Sequence, residues 1–337
     1  MAKNPKVSLV MKVYNGEKYL REAMESILSQ TFTDFEFLII DDGSKDSSAE
    51  IVRSYQDKRI RFLQNEKNMG LCATQNRVIE EARGEYIAVM DCDDISYPTR
   101  FEKQVKYLDE HPEVMMCGSF RNDIVDGKES PFQQIMNLEH STLGFSLFFG
   151  NMFFTHSSIM FRSAQYHEEG LSYGAAPIAE DYGIIIEMAK RYEVALIPER
   201  LIAYRIYNQS TSKVRLQEIT EAACNLKSAY LQTLPISESS KSLLLDYYKT
   251  DRARESLQNF LKAVEEVAQK TGADISEGGN AYPVVCNIVQ EYYAKLEKFN
   301  ITAWRELRKS PYKKAASLKT FFGWKLFAAC CLNYKRK

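Results

Sequence analysis

The chain has 337 residues, of which 45% are hydrophobic and 26% are charged, and its formal net charge is −1. This composition is ordinary for a soluble globular protein with two domains, or with one domain and a sizeable extension, and it excludes the global basic field of a nucleic-acid-binding protein. Seven cysteines without a C-x-x-C motif argue against a disulfide framework or a zinc site, and no apolar run of about 18 residues predicts a membrane-spanning helix. No signal peptide precedes the first strand, so we expect a cytoplasmic protein.

Strands and helices alternate along the first part of the chain. Runs rich in apolar and β-branched residues predict strands at residues 6–13, 35–40, 60–64 and 86–90. Apolar residues at helical spacing predict helices at residues 17–30, 49–55 and 71–82. Because this alternation is typical of a parallel α/β sheet, we expect a ligand at the carboxyl ends of the strands.

The fourth predicted strand runs directly into three carboxylates, Asp91, Asp93 and Asp94. Crowding like charges at the end of a core strand does not stabilise a fold, and it should raise the pKa of at least one of these groups unless a cation is bound. Hard oxygen ligands select Mg²⁺ or Mn²⁺. The group is therefore a candidate metal site, with an acidic strand-to-loop cap as the alternative.

Polar residues also follow the first two strands, as Tyr14-Asn15 and Asp41-Asp42. Each pair alone could be a turn or a helix cap, but three polar strand ends together predict a ligand-binding edge. No G-x-G-x-x-G follows the first strand and no G-x-x-x-x-G-K-[ST] occurs, which argues against a dehydrogenase-type edge or a P-loop.

Several motifs occur in a fixed order along the chain, at residues 7–20, 26–32, 39–44, 68–71 and 91–100. Together they resemble a family-2 glycosyltransferase of the GT-A fold, of the type found in bacterial surface-polysaccharide assembly. The resemblance covers about residues 5–212. It implies a three-layer α/β/α sandwich with a mostly parallel sheet, a nucleotide-sugar donor (usually a UDP-sugar), a Mg²⁺ or Mn²⁺ ion and inversion at the anomeric carbon.

The resemblance also assigns the donor site. Tyr14 would flank or stack on the base, Asp42 would accept a hydrogen bond from the base's ring N–H, Asp91 would lie near the ribose, and Asp93 would be the metal ligand, supported by Asp94. The further residues assigned to nucleotide-sugar binding by matching motif are Val13, Asn15, Gly70 and Cys92.

Lys12 departs from the family pattern, because the family more often has Pro or Thr at this position beside the base. The departure leaves the identity of the nucleotide open. The alternative interpretation of Lys12 is an edge residue whose ammonium group reaches solvent.

The acceptor side is expected in the second half of the resembling region. Residues 121–139 lack periodicity and predict an irregular loop facing the acceptor, and the phenylalanine-rich residues 145–154 predict core, with an apolar acceptor wall as the alternative. His156 is interpreted as a structural hydrogen-bonding residue, with an acceptor contact as the alternative. Tyr207 stands where the family often has a histidine near the diphosphate or metal.

Glu180 and Asp181 precede apolar residues at helical spacing. Taken alone, they could be acids that complement a helix N-terminus. The resemblance implies that Asp181 is the catalytic base and that Glu180 supports the loop. The chemistry requires such a group, because an acceptor hydroxyl is a poor nucleophile until a positioned carboxylate removes its proton.

The composition becomes helical after residue 212, and we expect a helical extension at residues 213–308. Residues 309–337 contain seven Lys, one Arg and no acid, with Leu318, Phe321, Phe322 and Leu326 able to share one helical face. This pattern predicts an amphipathic helix that lies on an anionic membrane surface. The alternative is a solvated basic tail that packs on its own domain.

The sequence thus predicts a GT-A domain at residues 1–212, divided at about residue 105 into a donor half (1–105) and an acceptor half (106–212), followed by the extension and the tail. The expected enzyme moves a sugar to a saccharide or lipid-linked acceptor and is peripheral on the inner face of the cell membrane. Two alternatives are a sugar-1-phosphate nucleotidyltransferase, which should have a Gly-rich basic loop after the first strand, and a non-catalytic sugar-binding protein, which the presence of Asp93 and Asp181 disfavours.

Overall fold

The structure is a computed structural model, and it describes residues 4–132, 136–174, 176–249, 257–295 and 310–312. The chain forms two compact units. The first unit comprises residues 1–137 and 151–223, and the second comprises residues 138–150 and 224–337. The second unit therefore includes a segment from within the region that resembles a GT-A domain.

The strands of the described chain are β1 (Val7–Val13), β2 (Phe35–Asp41), β3 (Ile60–Gln64), β4 (Tyr86–Asp91), β5 (Ile95–Ser96), β6 (Val114–Val125), β7 (Lys128–Pro131), β8 (Met160–Arg162) and β9 (Glu193–Ile206). The helices are α1 (Leu20–Leu28), α2 (Ser48–Arg53), α3 (Leu71–Glu80), α4 (Arg100–Glu110), α5 (His140–Leu147), α6 (Ser163–Glu168), α7 (Glu180–Ala189), α8 (Thr211–Val214), α9 (Leu216–Gln232), α10 (Glu238–Lys249), α11 (Leu257–Thr271) and α12 (Tyr282–Lys295). A short 3-10 helix occupies His156–Ser158.

The strands of the first unit form one sheet in the order β3-β2-β1-β4-β8-β6-β9-β5, and β7 pairs with residues 122–125 of β6, on the side away from β9. The pairs β2–β3, β1–β2, β1–β4 and β6–β9 are parallel, whereas β8 runs antiparallel to both β4 and β6. The predicted α/β fold with a mostly parallel sheet is therefore confirmed. Its central strands end next to one another, which brings their polar residues to one edge.

The central strands are hydrophobic because both of their faces are covered. Every residue of β2 is buried, and so are most residues of β1 and β4. Helix α1 packs Leu20, Met24 and Ile27 into the same core. Burying each large aliphatic side chain of this kind contributes roughly 1.5–3 kcal/mol to the stability of the fold. The sheet edge that carries the polar residues is therefore supported by a well-packed core.

The prediction of an irregular loop at residues 121–139 is wrong for its first part. β6 continues through Val125, and residues 121–125 pair in parallel with residues 202–206 of β9. Asp126 and Gly127 then turn the chain back into β7, and both have positive φ values, 50° and 73°. Asp-Gly with positive φ at both positions is typical of the two-residue turn of a β-hairpin, so the sequence contained a local signal for this hairpin.

The phenylalanine-rich segment is core, as the sequence predicted. Phe145, Phe148 and Phe149 are buried, and they belong to the second unit. The rings of Phe148 and Tyr230 stack with their centroids 3.9 Å apart. The part of this segment up to Gly150 therefore packs inside the helical unit, whereas Phe153 and Phe154 are buried in the first unit.

The second unit is helical within the described residues, in agreement with the predicted helical extension. Helix α11 buries Phe260, Val264 and Val267, and the ring of Phe260 stacks on Tyr292 of α12 with a centroid distance of 4.4 Å. Apart from residues 310–312, the predicted amphipathic tail lies outside the described residues. Among the residues that were placed, no helix combines the length and the apolarity needed to cross a bilayer.

Candidate active site

The carboxyl ends of β1, β2 and β4 lie side by side. The parallel register places Lys12 of β1 opposite Asp91 of β4, and Val13 opposite Asp41 of β2. Tyr14 follows β1 and is 47% exposed. An exposed ring at this edge is available for stacking against a planar ligand.

Asn15 shapes the turn after β1. Its φ of 53° lies in the left-handed region, which Asn tolerates better than most residues. Its side-chain Oδ1 accepts a hydrogen bond from the backbone N–H of Lys45 at 2.9 Å, and its own N–H donates to Ser44 Oγ at 2.9 Å. Asn15 therefore ties the turn after β1 to the loop after β2.

Asp42 is buried and fixes the loop that precedes α3. Its carboxylate accepts hydrogen bonds from Asn65 Nδ2 at 2.6 Å, from the N–H of Met69 at 2.8 Å and from the N–H of Gly70 at 3.1 Å. A carboxylate offers about four acceptor positions, so most of this capacity is used within the chain. About one acceptor position of the Asp42 carboxylate is left for a nucleobase. Within the chain, Asp42 organises the loop at residues 68–70.

Asp91 is held by two neighbours at the end of β4. Its Oδ1 lies 3.5 Å from His156 Nδ1, and its Oδ2 accepts a hydrogen bond from Ser157 Oγ at 3.1 Å. Burial would raise the pKa of Asp91, but the hydrogen bond and charge of His156 and the charge of Lys12 hold it below its ordinary value. His156 also contacts the hydroxyl of Tyr173 at 3.1 Å, so this histidine is fixed at both ring nitrogens.

Asp93 is held by a hydrogen bond from the residue that follows β9. Its Oδ2 accepts a hydrogen bond from the hydroxyl of Tyr207 at 2.8 Å. Burial and the charge of Asp91 raise the pKa of Asp93 to about 6, against the effect of this hydrogen bond. A carboxylate in this state is stabilised by any nearby cation, which is the electrostatic condition expected of a metal ligand.

Asp94 braces the strand end. Its Oδ1 accepts a hydrogen bond from the N–H of Arg205 at 2.8 Å, and its Oδ2 contacts the hydroxyl of Ser157. Burial and the charges of Asp93 and Asp91 raise its pKa well above the ordinary value. Asp94 therefore joins β4, the 3-10 helix and β9.

Cys92 packs inside this group of carboxylates. A Cβ atom added at Gly16 would lie 2.9 Å from the Sγ of Cys92, so the glycine makes room for the thiol. Burial and the charge of Asp93 raise the pKa of the Cys92 thiol well above its ordinary value. The residue contributes packing between β4 and the turn after β1.

A divalent cation at this edge would share its coordination between a carboxylate and a bound ligand. The described residues contain no group of three or more His, Cys, Asp or Glu side chains arranged to hold a metal ion. Mg²⁺ is commonly bound by one or two carboxylates together with substrate phosphates and water. The carboxylate of Asp93 offers hard oxygen atoms and its raised pKa fits that arrangement, in which a diphosphate would complete the coordination.

Glu180 and Asp181 are the first residues of α7 and are partly buried. Glu180 Oε1 accepts a hydrogen bond from Lys12 Nζ at 3.1 Å. Burial raises the pKa of Asp181 above its ordinary value; His156 opposes this shift, while Glu180 and Asp91 add to it. A carboxylate with a raised pKa is a better proton acceptor than an ordinary one.

The structure brings most of the predicted site residues to one edge. Asp91 is close enough to Asp93, Asp94 and Asp181 to raise the pKa of each. Val13 is buried and contributes its carbonyl, which accepts a hydrogen bond from the N–H of Asp42 at 2.8 Å. The edge thus contains both carboxylates for which the sequence predicts a chemical role, Asp93 as a metal ligand and Asp181 as the catalytic base.

Arg205 is a residue of this edge that the sequence analysis did not single out. Its Nε donates to the carbonyl of Asp93 at 2.8 Å, and its guanidinium lies 4.3 Å from the ring centroid of Tyr19. Arg205 in β9 and Tyr207, the first residue after the strand, are two positions apart, and both contact Asp93. That period of two is the signal that could have identified Arg205.

Comparison with known proteins is consistent with this geometry. Residues 8–169 match the family model for glycosyl transferase family 2. An uncharacterized glycosyltransferase of Methanocaldococcus jannaschii is 36% identical over 224 residues, which are 64% of this chain and 76% of the relative.

Two solved structures share the fold. S. aureus TarS 1–349 in complex with UDP-GlcNAc has a TM-score of 0.58 at 16% identity, over 92% of this chain and 89% of that one. A longer TarS chain is covered over 42% of its length. The mannosyltransferase PcManGT from Pyrobaculum calidifontis, in complex with GDP-Man and Mn²⁺, has a TM-score of 0.58 at 15% identity, over 98% of this chain and 87% of that one. The chain therefore belongs to glycosyltransferase family 2, and it is a glycosyltransferase with the GT-A fold.

Proposed function

We propose that this enzyme transfers a sugar from a nucleotide-sugar donor, in the first instance a UDP-sugar, to a hydroxyl group of a saccharide or lipid-linked saccharide, with inversion at the anomeric carbon. The observation that carries the proposal is the convergence of Asp93 and Asp181 on Asp91 at the carboxyl edge of the sheet. The carboxylate of Asp93 is suited to bind a cation, and the carboxylate of Asp181 is suited to accept a proton. The solved structures of similar fold hold UDP-GlcNAc in one case and GDP-Man with Mn²⁺ in the other, which supports a nucleotide-sugar donor here.

The donor would lie along the ends of β1, β2 and β4. The exposed ring of Tyr14 would flank the nucleobase, and the loop that Asp42 holds through Gly70 would form the opposite wall. Asp91 is ionised and fixed by His156 and Ser157, so it is ready to accept hydrogen bonds from ribose hydroxyls. Asn15 keeps the turn beside the base in place.

Asp93 would hold Mg²⁺ or Mn²⁺ together with the donor diphosphate. Such an ion, when bound, offsets the negative charge that develops on the leaving nucleoside diphosphate. Tyr207 donates a hydrogen bond to Asp93 and orients its carboxylate, while Asp94 fixes the backbone on the other side. Tyr207 thereby acts on the metal ligand rather than on the metal.

Asp181 would act as the general base. As the acceptor oxygen forms its bond to the anomeric carbon, the bond from that carbon to the diphosphate oxygen breaks, and the hydroxyl proton moves to the Asp181 carboxylate. Attack from the face opposite the leaving group inverts the anomeric centre. Holding donor and acceptor in line removes much of the entropic barrier of a two-substrate reaction.

A panel of nucleotide-sugars tests the proposal. We expect at least one UDP- or GDP-sugar to raise the melting temperature when Mn²⁺ or Mg²⁺ is present, to lose that effect in EDTA, and to be slowly hydrolysed to the nucleoside diphosphate. Differential scanning fluorimetry and chromatography of the nucleotides measure the two effects. Binding without any turnover would identify a non-catalytic sugar-binding protein, and release of pyrophosphate from a sugar-1-phosphate and a nucleoside triphosphate would identify a nucleotidyltransferase.

We further propose that the enzyme works on surface polysaccharide at the inner face of the cell membrane and that its basic C-terminal tail binds anionic lipid. Residues 313–337 contain six Lys, one Arg and no acid. Each basic residue near an anionic surface contributes about 1 kcal/mol, so several together hold a protein reversibly. Truncation after Tyr312 suits the test, because Tyr312 is buried against Tyr282 within the second unit.

We expect the truncated chain to lose its cosedimentation with vesicles that contain phosphatidylglycerol and to keep its activity on a soluble acceptor analogue. Binding of the full chain should weaken at high salt, because added ions screen the attraction. The matched control is a full-length chain in which the six lysines and the one arginine of residues 313–337 are replaced by Gln, which keeps the apolar residues and removes the positive charge of these side chains. Equal sedimentation of all three proteins would show that the tail has no role in membrane binding.

A further inference from the structure

Lys12 is an unusual residue for its place in the fold. It is the sixth residue of β1, and its neighbours in the strand, Met11 and Val13, are buried apolar side chains. Its Nζ lies 3.1 Å from Glu180 Oε1, and the two side chains are only 13% and 12% exposed. Burying a charge is costly unless it is paired, so a lysine at this position requires the carboxylate across from it.

The pair connects two elements that carry different parts of the proposed chemistry. Lys12 is opposite Asp91 in the register of β1 and β4, on the donor edge. Glu180 begins α7 and is followed directly by Asp181. The ion pair is thus a direct side-chain link between the strand end that would bind the donor and the helix start that would hold the base.

Several elements contribute charged or titratable groups around the pair. Burial lowers the pKa of Lys12, but the carboxylates of Glu180, Asp91 and Asp181 outweigh that effect and raise it above its ordinary value, so the amine stays protonated. The titratable and charged groups that face this cluster are His156 of the 3-10 helix, Tyr173, Cys72 of α3 and Arg215. Lys12 is the cation of the cluster that makes an ion pair with Glu180.

We propose that Lys12 is a positioning residue for the catalytic base, which fixes the start of α7 through Glu180 and whose positive charge favours the carboxylate form of Asp181. The inference rests on the proposed role of Asp181. Without Lys12, the carboxylate of Glu180 would be unpaired beside Asp181, and both the placement and the ionisation of the base would change. An ammonium group has three N–H donors, so a contact from Lys12 to the donor diphosphate is the competing explanation, and the test separates the two.

The test measures kcat against pH at saturating donor, acceptor and Mn²⁺, so that metal loading does not set the acid limb. Lys12→Met removes the cation, and we expect its acid limb to move to higher pH by roughly one unit, the size of effect typical of a nearby charge. Glu180→Gln removes a like charge beside Asp181 and leaves Lys12 in place, so its acid limb should move to lower pH. The double variant should lie between the two single variants.

These opposite directions are a readout that a merely structural role would not give. Lys12→Arg keeps the charge and should keep the acid limb near that of the wild type. If Lys12→Met does not fold, the double variant, which is expected to fold because both partners of a buried pair are replaced, still isolates the effect of Lys12. Its acid limb should lie at higher pH than that of Glu180→Gln. An unmoved acid limb in the folded variants, whether kcat falls uniformly or the donor KM rises, overturns the inference.

The inference and the proposed function fail in different ways. If Asp181→Asn keeps the wild-type rate, the assignment of the base is wrong, and the behaviour of Lys12 then concerns another group. If Asp181→Asn loses activity while the Lys12 and Glu180 variants keep the wild-type acid limb, the base stands and only the positioning role of Lys12 is overturned.

Discussion

Asp93→Asn abolishes the Mn²⁺-dependent binding of the nucleotide-sugar and leaves the fold intact; this is the result we expect if the carboxylate at the end of β4 holds the ion. An amide oxygen is neutral and is a weaker ligand for a hard dication than a carboxylate. Asn still offers an oxygen to the Tyr207 hydroxyl, which now donates to Asp93 Oδ2 at 2.8 Å. Isothermal titration calorimetry with and without Mn²⁺ measures the loss.

The fold should tolerate this substitution for an electrostatic reason. The pKa of Asp93 is raised to about 6 in the folded protein, so the ionised carboxylate reduces stability as the pH rises through that value. Asn carries no charge at any pH. We therefore expect the metal-free variant to melt at the same temperature as the metal-free wild type or above it at neutral pH.

Asp94→Asn is the matched control, because it removes a carboxylate from the same strand end. Asp94 accepts the N–H of Arg205 and contacts Ser157, so its main work is to brace the backbone. We expect this variant to retain a binding enthalpy that depends on Mn²⁺. Binding by Asp93→Asn that equals wild type in the presence of Mn²⁺ would show that the ion is held elsewhere.

The parts of the fold that can be predicted from the sequence are those that depend on a local pattern of apolar and polar residues. The strand that ends at Asp91 was evident because both of its faces are buried, which makes it continuously apolar until the carboxylates begin. The hairpin at Asp126 and Gly127 was missed although its turn residues are a local signal, because the strand before it carries polar residues at Arg121, Asn122 and Asp123. There the pairing with β9 decided the structure.

Some contacts of the site could not be predicted from the sequence. The motifs identify Asp42, Asp91 and Asp93 as one edge, but not that Asp42 uses its carboxylate on the loop at residues 68–70. That contact depends on how the chain between β3 and α3 folds back. Likewise Lys12 and Glu180 are 168 residues apart, and no periodicity or spacing links them. Partners at this separation are set by the packing of α7 on the sheet.

Asp181→Asn is expected to keep the donor affinity near that of the wild type and to lower the rate of sugar transfer by roughly 10²-fold or more, which is the usual contribution of a general base. Its effect on stability gives an independent check that the variant is folded. Because the pKa of Asp181 is raised in the folded protein, the wild type loses stability as the pH rises from the ordinary value of 3.8 through the raised one, and the Asn variant does not. The melting temperature of the variant relative to wild type should therefore increase with pH.

Glu180→Gln serves as the control on the neighbouring acid, since it should retain a substantial rate with a displaced pH profile. A transfer rate that is barely altered in a folded Asp181→Asn variant would mean that another group takes the proton, and Glu180 would be the next residue to test.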